Sequence, residues 1–272
     1  MNNEFGVCFI GFGEVGQTFA AGLGGREGVR LHAYDRLFGS RRGAALEAAA
    51  ARLGVAVFAD AAAAARSCDI VFSAVTADQT LAAAEEAAAY LAAGQLFVDL
   101  NSAAPTTKQA AAARIAPSGG AYVEAAVMAP VLKPGLRVPI LAGGPDAWRA
   151  AELLNRLGLN VTPAAREFGR ASAIKLCRSI VIKGLEALMI DCAAACAAWD
   201  VADPVFASLA ASYPSIDWAE LARDMGERVA THGARRAAEM REAAEMAAAA
   251  GLDPALIAAI AAAQARGARP KE

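Results

Sequence analysis

The chain has 272 residues, of which 57% are hydrophobic and 20% charged, and its formal net charge is −2. This composition excludes a disordered chain, and the charge gives none of the basic surface that nucleic-acid binding requires. Charged residues interrupt the alanine tracts, so we expect no membrane span. Because the first apolar run already begins at Phe5, we also expect no signal peptide.

The cysteine content indicates a cytoplasmic protein with reduced thiols. The chain has five cysteines, an odd number scattered over predicted helices and strands. Cys192 and Cys196 would share a helix face, but no histidine cluster lies near them in the sequence. We therefore expect them to pack in a core and predict no metal site.

The opening stretch, residues 5–35, predicts a dinucleotide-binding unit. An apolar strand at 5–10 leads into the turn Gly11–Gly16, which fits G-x-G-x-x-G, and a helix follows. A second strand, 29–34, ends at Asp35, close to the expected offset of about 20 residues after the glycines. The alternative is a glycine-rich turn without a ligand, and the strand, helix and acid together argue against it.

Each glycine of the turn has a separate physical role. Gly11 permits the tight turn, Gly13 lets the backbone approach a pyrophosphate, and Gly16 lets the helix pack closely on the strand. The amino end of the helix can hold the phosphates. The predicted cofactor contacts in the turn are Gly11, Phe12, Gly13, Glu14, Val15 and Gly16.

Asp35 predicts NAD as the cofactor. Its carboxylate can accept both hydroxyls of the adenine ribose and repels a 2′-phosphate. Arg36, which is a further candidate cofactor contact, and the nearby Arg41 and Arg42 could bind a 2′-phosphate if Asp35 turned away. NADP therefore stays open as the alternative.

The rest of the first half alternates between strand and helix patterns, which is typical of βαβ units. Strands are predicted at 55–58, 69–75, 95–99, 120–127 and 138–144. Helices are predicted at 41–53, at 60–66 after the cap Asp60, at 78–91 after the cap Asp78, at 105–115, and from Pro145 as first helical residue. We therefore predict a Rossmann-type α/β domain with a mostly parallel sheet over residues 1–166, ending near 160–163.

Polar residues follow two of these strands at the edge where ligands bind in such sheets. Val75 and Thr76 end the strand at 69–75, and Asn101 and Ser102 follow the strand at 95–99. We expect cofactor and substrate to meet there.

From residue 167 the strand patterns stop, and we predict an all-helical domain over residues 167–272. One long helix, from 167 to about 199, joins the two domains. Its broad apolar surface comprises Ile174, Leu176, Ile180, Val181, Leu185, Leu188 and Met189. Such a surface is buried in a core or against a partner, which predicts a homodimer. Asp203, Ser215 and Asp253 mark further helix starts.

Three segments together resemble the β-hydroxyacid dehydrogenase family, which includes 3-hydroxyisobutyrate and 6-phosphogluconate dehydrogenases. Besides the glycine turn, Asp99–Pro105 is similar to the family segment D-x-S-T-x-x-P, and residues 169–175 match G-x-G-x-x-x-K at Gly169 and Lys175. The resemblance implies that Lys175 is the general acid/base and that Asn101 and Ser102 line the substrate and the nicotinamide.

The chemistry of alcohol oxidation fits a lysine at position 175. A hydroxyl proton must leave as hydride departs, and an unperturbed lysine, with a pKa of about 10.4, is a poor base at neutral pH. Burial beside a positively charged nicotinamide would lower that pKa. The alternative is a solvated lysine, which the apolar neighbours of Lys175 disfavour.

One residue and one loop depart from the family pattern. The family's asparagine four residues after the lysine is Ser179, and its glycine-rich substrate loop aligns with residues 124–130, where Met128 and Pro130 stand. The chain better resembles a less characterised branch with a distinct helical C-terminal domain. We expect Ser179 and Met128 to contact the substrate.

The second domain contains one further candidate face. His232, Arg235, Arg236 and Glu239 lie on one side of a predicted helix, and two arginines could hold a carboxylate or phosphate. The alternative is a solvated face on which Arg235 and Arg236 pair with Glu239. For Lys183 and Glu186, both local pairing and a place in the pocket remain open.

The sequence thus predicts an NAD(P)-dependent oxidoreductase for a small, anionic hydroxy acid or sugar acid. An imine reductase of the same architecture and a non-catalytic NAD-binding sensor remain as alternatives.

Overall fold

The computed structural model describes residues 5–269. The chain divides into two compact units, one up to Lys175 and one from Leu176 onward. The division falls within a long helix, and the domain boundary predicted after residue 166 stays a prediction.

The first unit is built on a mostly parallel sheet, as predicted. Within the described residues its eight strands have the order β3-β2-β1-β4-β5-β6-β7-β8, and β6 pairs antiparallel with β7 while the other pairs are parallel. The strands are β1 (Phe5–Ile10), β2 (Val29–Tyr34), β3 (Ala56–Val57), β4 (Ile70–Ser73), β5 (Leu96–Asp99), β6 (Ala121–Val127), β7 (Pro139–Gly143) and β8 (Asn160–Ala165).

Helices connect the strands and make up the second unit. Those of the first unit are α1 (Glu14–Leu23), α2 (Ala44–Arg52), α3 (Ala61–Ala65), α4 (Thr80–Ala88), α5 (Pro105–Ile115) and α6 (Ala147–Arg156). The helix that crosses the division is α7 (Arg170–Trp199), and α8 (Ala202–Ser212), α9 (Trp218–Ala249) and α10 (Ala255–Gly267) follow it.

The central strands β1, β4, β5 and β6 are buried on both faces because they are apolar at nearly every position. Val7 and Phe9 of β1 belong to one core layer, and the alternate residues Cys8 and Ile10 belong to the other. In the first layer the rings of Phe9 and Phe72 stack with centroids 5.6 Å apart. The second unit has its own core, formed by residues of α7, α9 and α10.

Register places the last residues of four neighbouring strands in one row. Tyr34 of β2 pairs with Ile10 of β1, Ile10 with Ser73 of β4, and Ser73 with Asp99 of β5. The segments that follow these residues therefore leave the sheet side by side at its carboxyl edge.

Several predicted element ends need correction. A strand at Asn160–Ala165 was not predicted. It contains Pro163, which is tolerated because β8 is the last strand of the sheet order. Pro145 is not the first helical residue, since α6 begins at Ala147 after Asp146.

Of the predicted helix caps, Asp60 is confirmed, because its carboxylate accepts the N–H of Ala63 at 2.7 Å. Asp78 lies in a short 3-10 turn before α4, which has Gln79 at its cap position. Ser215 does not start a helix either, since Asp217 caps α9 by accepting the N–H of Glu220.

The apolar surface predicted for the long helix is only partly buried. Leu176 and Met189 lie in the interior, whereas Val181 is 62% and Leu188 68% exposed. Among residues 5–269, none of the helices combines the length and apolar character needed to cross a membrane.

Candidate functional site

The turn between β1 and α1 has the geometry that its glycines predict. Gly11 has a φ of +89°, and a Cβ there would lie 2.5 Å from the carbonyl oxygen of Ala74. A Cβ on Gly16 would lie 2.7 Å from the carbonyl oxygen of Gly11. Both positions therefore exclude a side chain for reasons internal to the fold.

Gly13 differs, because a Cβ there would meet no atom of the described residues within 4 Å. A side chain at this position would therefore occupy open space beside the turn and would not clash with the fold. Within residues 5–269 no side chain caps the start of α1 at Gly13, and the first N–H groups of a helix have no partner inside it. The turn thus fits a phosphate group, which the helix dipole also favours.

Asp35 is fixed at the end of β2. Its Oδ2 accepts the N–H of Phe12 at 2.8 Å and its Oδ1 accepts the N–H of Leu37 at 2.9 Å. Each carboxylate oxygen can accept a further hydrogen bond. The neighbouring Arg36 is exposed.

At the end of β4, Val75 is half-buried and Thr76 is exposed. Val75 lies beside the glycine turn, since its Cγ1 is 3.2 Å from the position that a Cβ on Gly11 would take. Thr76 hydrogen-bonds to Asp78, which is the largest cause of the lowered pKa of that carboxyl. The loop after β4 is therefore held close to the turn.

Asn101 and Ser102 carry buried oxygens without partners among the described residues. The Nδ2 of Asn101 donates to Ser73 Oγ at 2.9 Å, which leaves its Oδ1 unpaired. Ser102 Oγ is buried and unpaired in the same way. Such atoms are costly inside a protein unless a partner is supplied, and both of these lie in the loop that follows β5.

A buried polar group that was not predicted supports this loop. Asp99 Oδ1 accepts from Lys108 Nζ at 2.8 Å and from the N–H of Asn101 at 3.0 Å, while its Oδ2 accepts from Tyr122 OH at 2.6 Å. Lys108 is fully buried. Burial, and then the Asp99 charge, raise the pKa of Tyr122 well above its ordinary value.

The start of α7 is held by a second unpredicted carboxylate. Glu124 of β6, which pairs with Asp99 in the sheet, is fully buried and accepts the N–H groups of Gly169 and Ser172. Just before the helix, the carbonyl of Phe168 accepts from the Nε2 of Gln109 in α5 at 3.1 Å. An acidic group at a helix start is favoured by the dipole.

Lys175 lies in the second turn of this anchored helix and is half-buried. It belongs to the first unit. The segment at the helix start packs close to the loop with Asn101, because a Cβ on Gly169 would lie 3.0 Å from the Cβ of Pro105. The sequence motif around Lys175 is therefore fixed near the sheet edge by Glu124 and α5.

The segment after β6 contains the predicted substrate residue Met128. Met128 is half-buried, and its N–H donates to the carbonyl of Pro139 at 2.9 Å. Ala129 and Pro130 are exposed, and Pro130 has no N–H. The backbone here therefore has few free N–H donors for an anion. The Met128 side chain makes this segment apolar.

In the second unit, Ser179 belongs to an internal cluster with Lys183 and Glu239. Ser179 Oγ donates to Glu239 Oε1 at 2.6 Å, and Lys183 Nζ lies 3.1 Å from the same oxygen and donates to Ser179 Oγ at 3.2 Å. Burial lowers the pKa of Lys183, and the Glu239 charge opposes that shift. Whether Ser179 contacts a substrate stays a prediction.

Arg236 pairs with Glu186, not with Glu239 as the ion-paired alternative held. Its Nε donates to Glu186 Oε2 at 2.8 Å and its Nη2 donates to Oε1. Gln264 Nε2 donates to the same Glu186 carboxylate at 3.0 Å. His232 and Arg235 are exposed, and the anion-binding role of this face stays a prediction.

Lys108, Tyr122 and Glu124 had no role in the sequence prediction. The available signal was an acid ending a buried strand, Asp99, followed by a lysine in the first turn of the next helix. Among residues 5–269, no three His, Cys, Asp or Glu side chains are grouped so that they could hold a metal ion.

Two family models match the chain. The NAD binding domain of 6-phosphogluconate dehydrogenase matches residues 6–164, and a domain of unknown function (DUF1932) matches residues 197–267. The first match contains the glycine turn, Asp35 and the loop with Asn101.

Three solved structures are similar over nearly the whole chain. A conserved hypothetical protein from Sinorhizobium meliloti is 41% identical, covering 96% of this chain and 88% of that one, with a TM-score of 0.82. A conserved protein of unknown function, described as structurally similar to 3-hydroxyacid dehydrogenases, is 33% identical, covering 97% and 96%, with a TM-score of 0.78.

The third is the 3-hydroxyisobutyrate dehydrogenase of Mycobacterium tuberculosis, solved with L-serine. It is 18% identical, covering 96% of this chain and 93% of that one, with a TM-score of 0.77, and so shows the fold alone. The matched model, the glycine geometry and the relatives agree: the chain belongs to the 6-phosphogluconate and 3-hydroxyisobutyrate dehydrogenase family, with an NAD-binding domain followed by the helical domain DUF1932.

Proposed function

We propose that the protein is an NAD-dependent oxidoreductase in which the bound cofactor exchanges a hydride with the hydroxyl-bearing carbon of a small, anionic hydroxy acid or sugar acid. Lys175 is the general acid/base. One observation carries the proposal most directly: the unpaired oxygens of Asn101 and Ser102 lie beyond β5, two strands along from a phosphate-binding turn.

The order of strands supports one orientation of the dinucleotide along the sheet edge, from adenine at β2 to nicotinamide at β4 and β5. Asp35 follows β2, the glycine turn follows β1, and Asn101 follows β5, with β4 between the last two. Neighbouring strands are spaced about 4.8 Å apart, so β2 and β5 are separated by about 14 Å. The adenine ribose would lie at Asp35, the pyrophosphate at the amino end of α1, and the nicotinamide near the ends of β4 and β5.

Lys175 would take the hydroxyl proton at Nζ during oxidation and return it during reduction. Its support is positional. Glu124 fixes the first turn of α7 through two N–H groups, and Gln109 fixes the residue before Gly169. A base on a helix held in this way keeps a constant direction, which general acid/base catalysis requires.

Asp35 supports NAD over NADP. A 2′-phosphate could be accepted if the carboxylate turned away, but turning would break the bonds from the N–H groups of Phe12 and Leu37. A carboxylate held by two backbone donors stays in place and repels a second anion.

The exposed apolar surface supports a homodimer. Val181, Leu185 and Leu188 of α7 and Leu256 of α10 line one groove of the second unit and are all exposed. Apolar surface of this kind is typical of an interface. Sedimentation equilibrium is expected to give the mass of two chains of 27.7 kDa, and the mass of one chain would contradict a dimer.

A substrate panel tests the proposed reaction. Hydroxy acids, sugar acids and diols are offered with NAD, and turnover is read from the absorbance of NADH. Oxidation of at least one hydroxy acid or sugar acid is expected. Reduction of cyclic imines with no oxidation of any alcohol would favour the imine reductase instead, and cofactor binding without turnover would favour the sensor.

The Lys175→Ala variant tests the role of the lysine. We expect kcat to fall by about a thousandfold or more, because the general acid/base is lost, with NAD affinity within about twofold. Arg170→Ala is the matched control, since it removes an exposed cation from the first turn of the same helix. Full activity in Lys175→Ala would remove the mechanism.

A further inference from the structure

We propose that Lys108 is a positioning residue: through Asp99 it fixes the amide oxygen of Asn101 as an acceptor for the carboxamide of the nicotinamide. The inference rests on the proposed function in one respect, the placement of the nicotinamide near the ends of β4 and β5. It does not depend on the substrate or on turnover.

Lys108 is an unusual residue for its place. It is fully buried, yet it lies in the first turn of α5, a helix rich in alanine. Its Nζ donates to Asp99 Oδ1 at 2.8 Å and to the carbonyl oxygen of Asp99 at 3.2 Å. A buried ion pair contributes little net stability compared with apolar residues of similar size, so a role in positioning explains it better.

The carboxylate of Asp99 connects Lys108 to the loop. While Oδ1 holds Lys108, it also accepts the N–H of Asn101 at 3.0 Å, and Oδ2 is held by Tyr122 OH at 2.6 Å. Two donors from different elements, α5 and β6, therefore fix one carboxylate, which in turn fixes the backbone at Asn101.

The side chain of Asn101 is fixed at its other end. Its Nδ2 donates to Ser73 Oγ, a fully buried hydroxyl in β4. Because the backbone N–H and the amide nitrogen of Asn101 are both hydrogen-bonded, the orientation of its Oδ1 atom is fixed. This oxygen has no hydrogen-bond partner among residues 5–269. An acceptor held in this way is complementary to an N–H donor such as the amide nitrogen of nicotinamide.

The experiment compares two ligands that differ in the nicotinamide part. NADH contains it and ADP-ribose does not, while both contain the groups expected at Asp35 and at the glycine turn. In Lys108→Met we expect NADH affinity to fall by about tenfold and ADP-ribose affinity to change by less than about twofold. Binding is measured by NADH fluorescence and by competition with ADP-ribose.

A rescue separates positioning from general damage. Asp99→Asn/Lys108→Met removes both charges but leaves an oxygen at position 99 that can accept the N–H of Asn101. NADH affinity in the double variant is expected to return to within about threefold of the native value. Lys133→Met, which removes an exposed lysine, is the matched control with native affinity for both ligands.

If Lys108→Met does not fold, Tyr122→Phe is the second variant for the same comparison. It removes only the hydrogen bond from Tyr122 OH to Asp99. Its NADH affinity is expected to fall by about threefold, with ADP-ribose unchanged. Equal loss of both ligands, or an unchanged ratio of the two affinities in the folded variants, would overturn the inference. Failure of the proposed function would look different, since the native protein would then bind NADH and turn over no substrate.

Discussion

The two units of the molecule differ in the hydrogen bonds of the polar side chains that were predicted as site residues. At the sheet edge of the first unit, the oxygens of Asn101 and Ser102 are buried and unpaired, and the amino end of α1 has no side-chain cap among the described residues. In the second unit, Ser179 and Arg236 are already hydrogen-bonded to Glu239 and Glu186.

The sheet edge thus has buried oxygens without partners among the described residues, whereas the predicted site residues Ser179 and Arg236 are hydrogen-bonded to residues of their own unit. A ligand at the sheet edge gains hydrogen bonds without breaking any, whereas a ligand at Ser179 or Arg236 must displace an internal partner. Asn101 and Ser102 were predicted from their place after a strand and from the family resemblance, Ser179 from that resemblance, and Arg236 from residue type and helical spacing. Only the hydrogen-bond partners in the structure distinguish the residues at the sheet edge from those in the second unit.

The largest expected effect comes from Arg236→Met, which tests whether the second network is structural. The variant leaves the fully buried Glu186 carboxylate with the Nε2 of Gln264 as its hydrogen-bond donor among the described residues. The free energy of unfolding should fall by about 3 kcal/mol, with NADH affinity within about twofold.

Urea unfolding measures the first quantity, and Glu186→Gln/Arg236→Met is the control, with a smaller loss because no charge is left unpaired. Loss of substrate affinity in Arg236→Met with native stability would contradict the structural role and restore the arginine as an anion ligand.

Gly13→Ala and Gly11→Ala form the next test. A Cβ on Gly13 meets no described atom within 4 Å, so it should weaken NADH binding by about thirtyfold through contact with the pyrophosphate while changing stability by less than about 1 kcal/mol. Gly11→Ala meets the Ala74 carbonyl and should lower stability as well. Equal effects of the two variants on both quantities would show that Gly13 does not keep space for a ligand.

Asp35→Asn should produce a smaller change, confined to cofactor choice. The amide keeps an oxygen for one backbone N–H but removes the charge that repels a 2′-phosphate. The ratio of NADP to NAD affinity should rise by about tenfold. An unchanged ratio, or a native protein that prefers NADP, would contradict the assignment of NAD.

The smallest expected effect is the pH dependence contributed by Lys183. Burial lowers the pKa of Lys183 in the native state. The charges of Glu239 and Glu186 raise this pKa, and the charge of Arg236 lowers it further. The unfolded chain therefore holds this proton to higher pH than the native state does, and the Lys183 contribution to stability rises with pH up to the unfolded value.

The native protein should gain stability relative to Lys183→Met, by on the order of 1 kcal/mol or less, between the lowered native pKa and the ordinary value of 10.5. Urea unfolding at several pH values measures the difference. A difference that is flat or falls over that range would be contrary to the burial of a charged Lys183.

Local patterns were enough to predict the fold at the sheet edge. The bounds of β1 and β2 were predicted as observed, and the glycine turn has the close contacts that its motif implies. The turn and both strands lie within residues 5–35, although the carbonyl that crowds Gly11 belongs to the more distant Ala74. The turn and the first two strands can therefore be predicted from the sequence.

The supporting contacts could not be predicted in this way. Glu124 meets Gly169 across 45 positions, and Arg236 meets Glu186 across 50. At Lys108 the local signal is an acid that ends a buried strand followed by a lysine in the first turn of the next helix, and this pattern alone does not indicate that Lys108 and Asp99 are buried together. Such pairs depend on the sheet order and helix packing, which helical spacing does not specify.

A crystal structure of the protein with NADH is the most direct test that the sheet edge is the dinucleotide site. We expect the pyrophosphate at the N–H groups that begin α1, the adenine ribose at Asp35, and the nicotinamide amide within hydrogen-bonding distance of Asn101 Oδ1. A dinucleotide bound elsewhere, or a nicotinamide directed away from Asn101 and Ser102, would contradict the assignment.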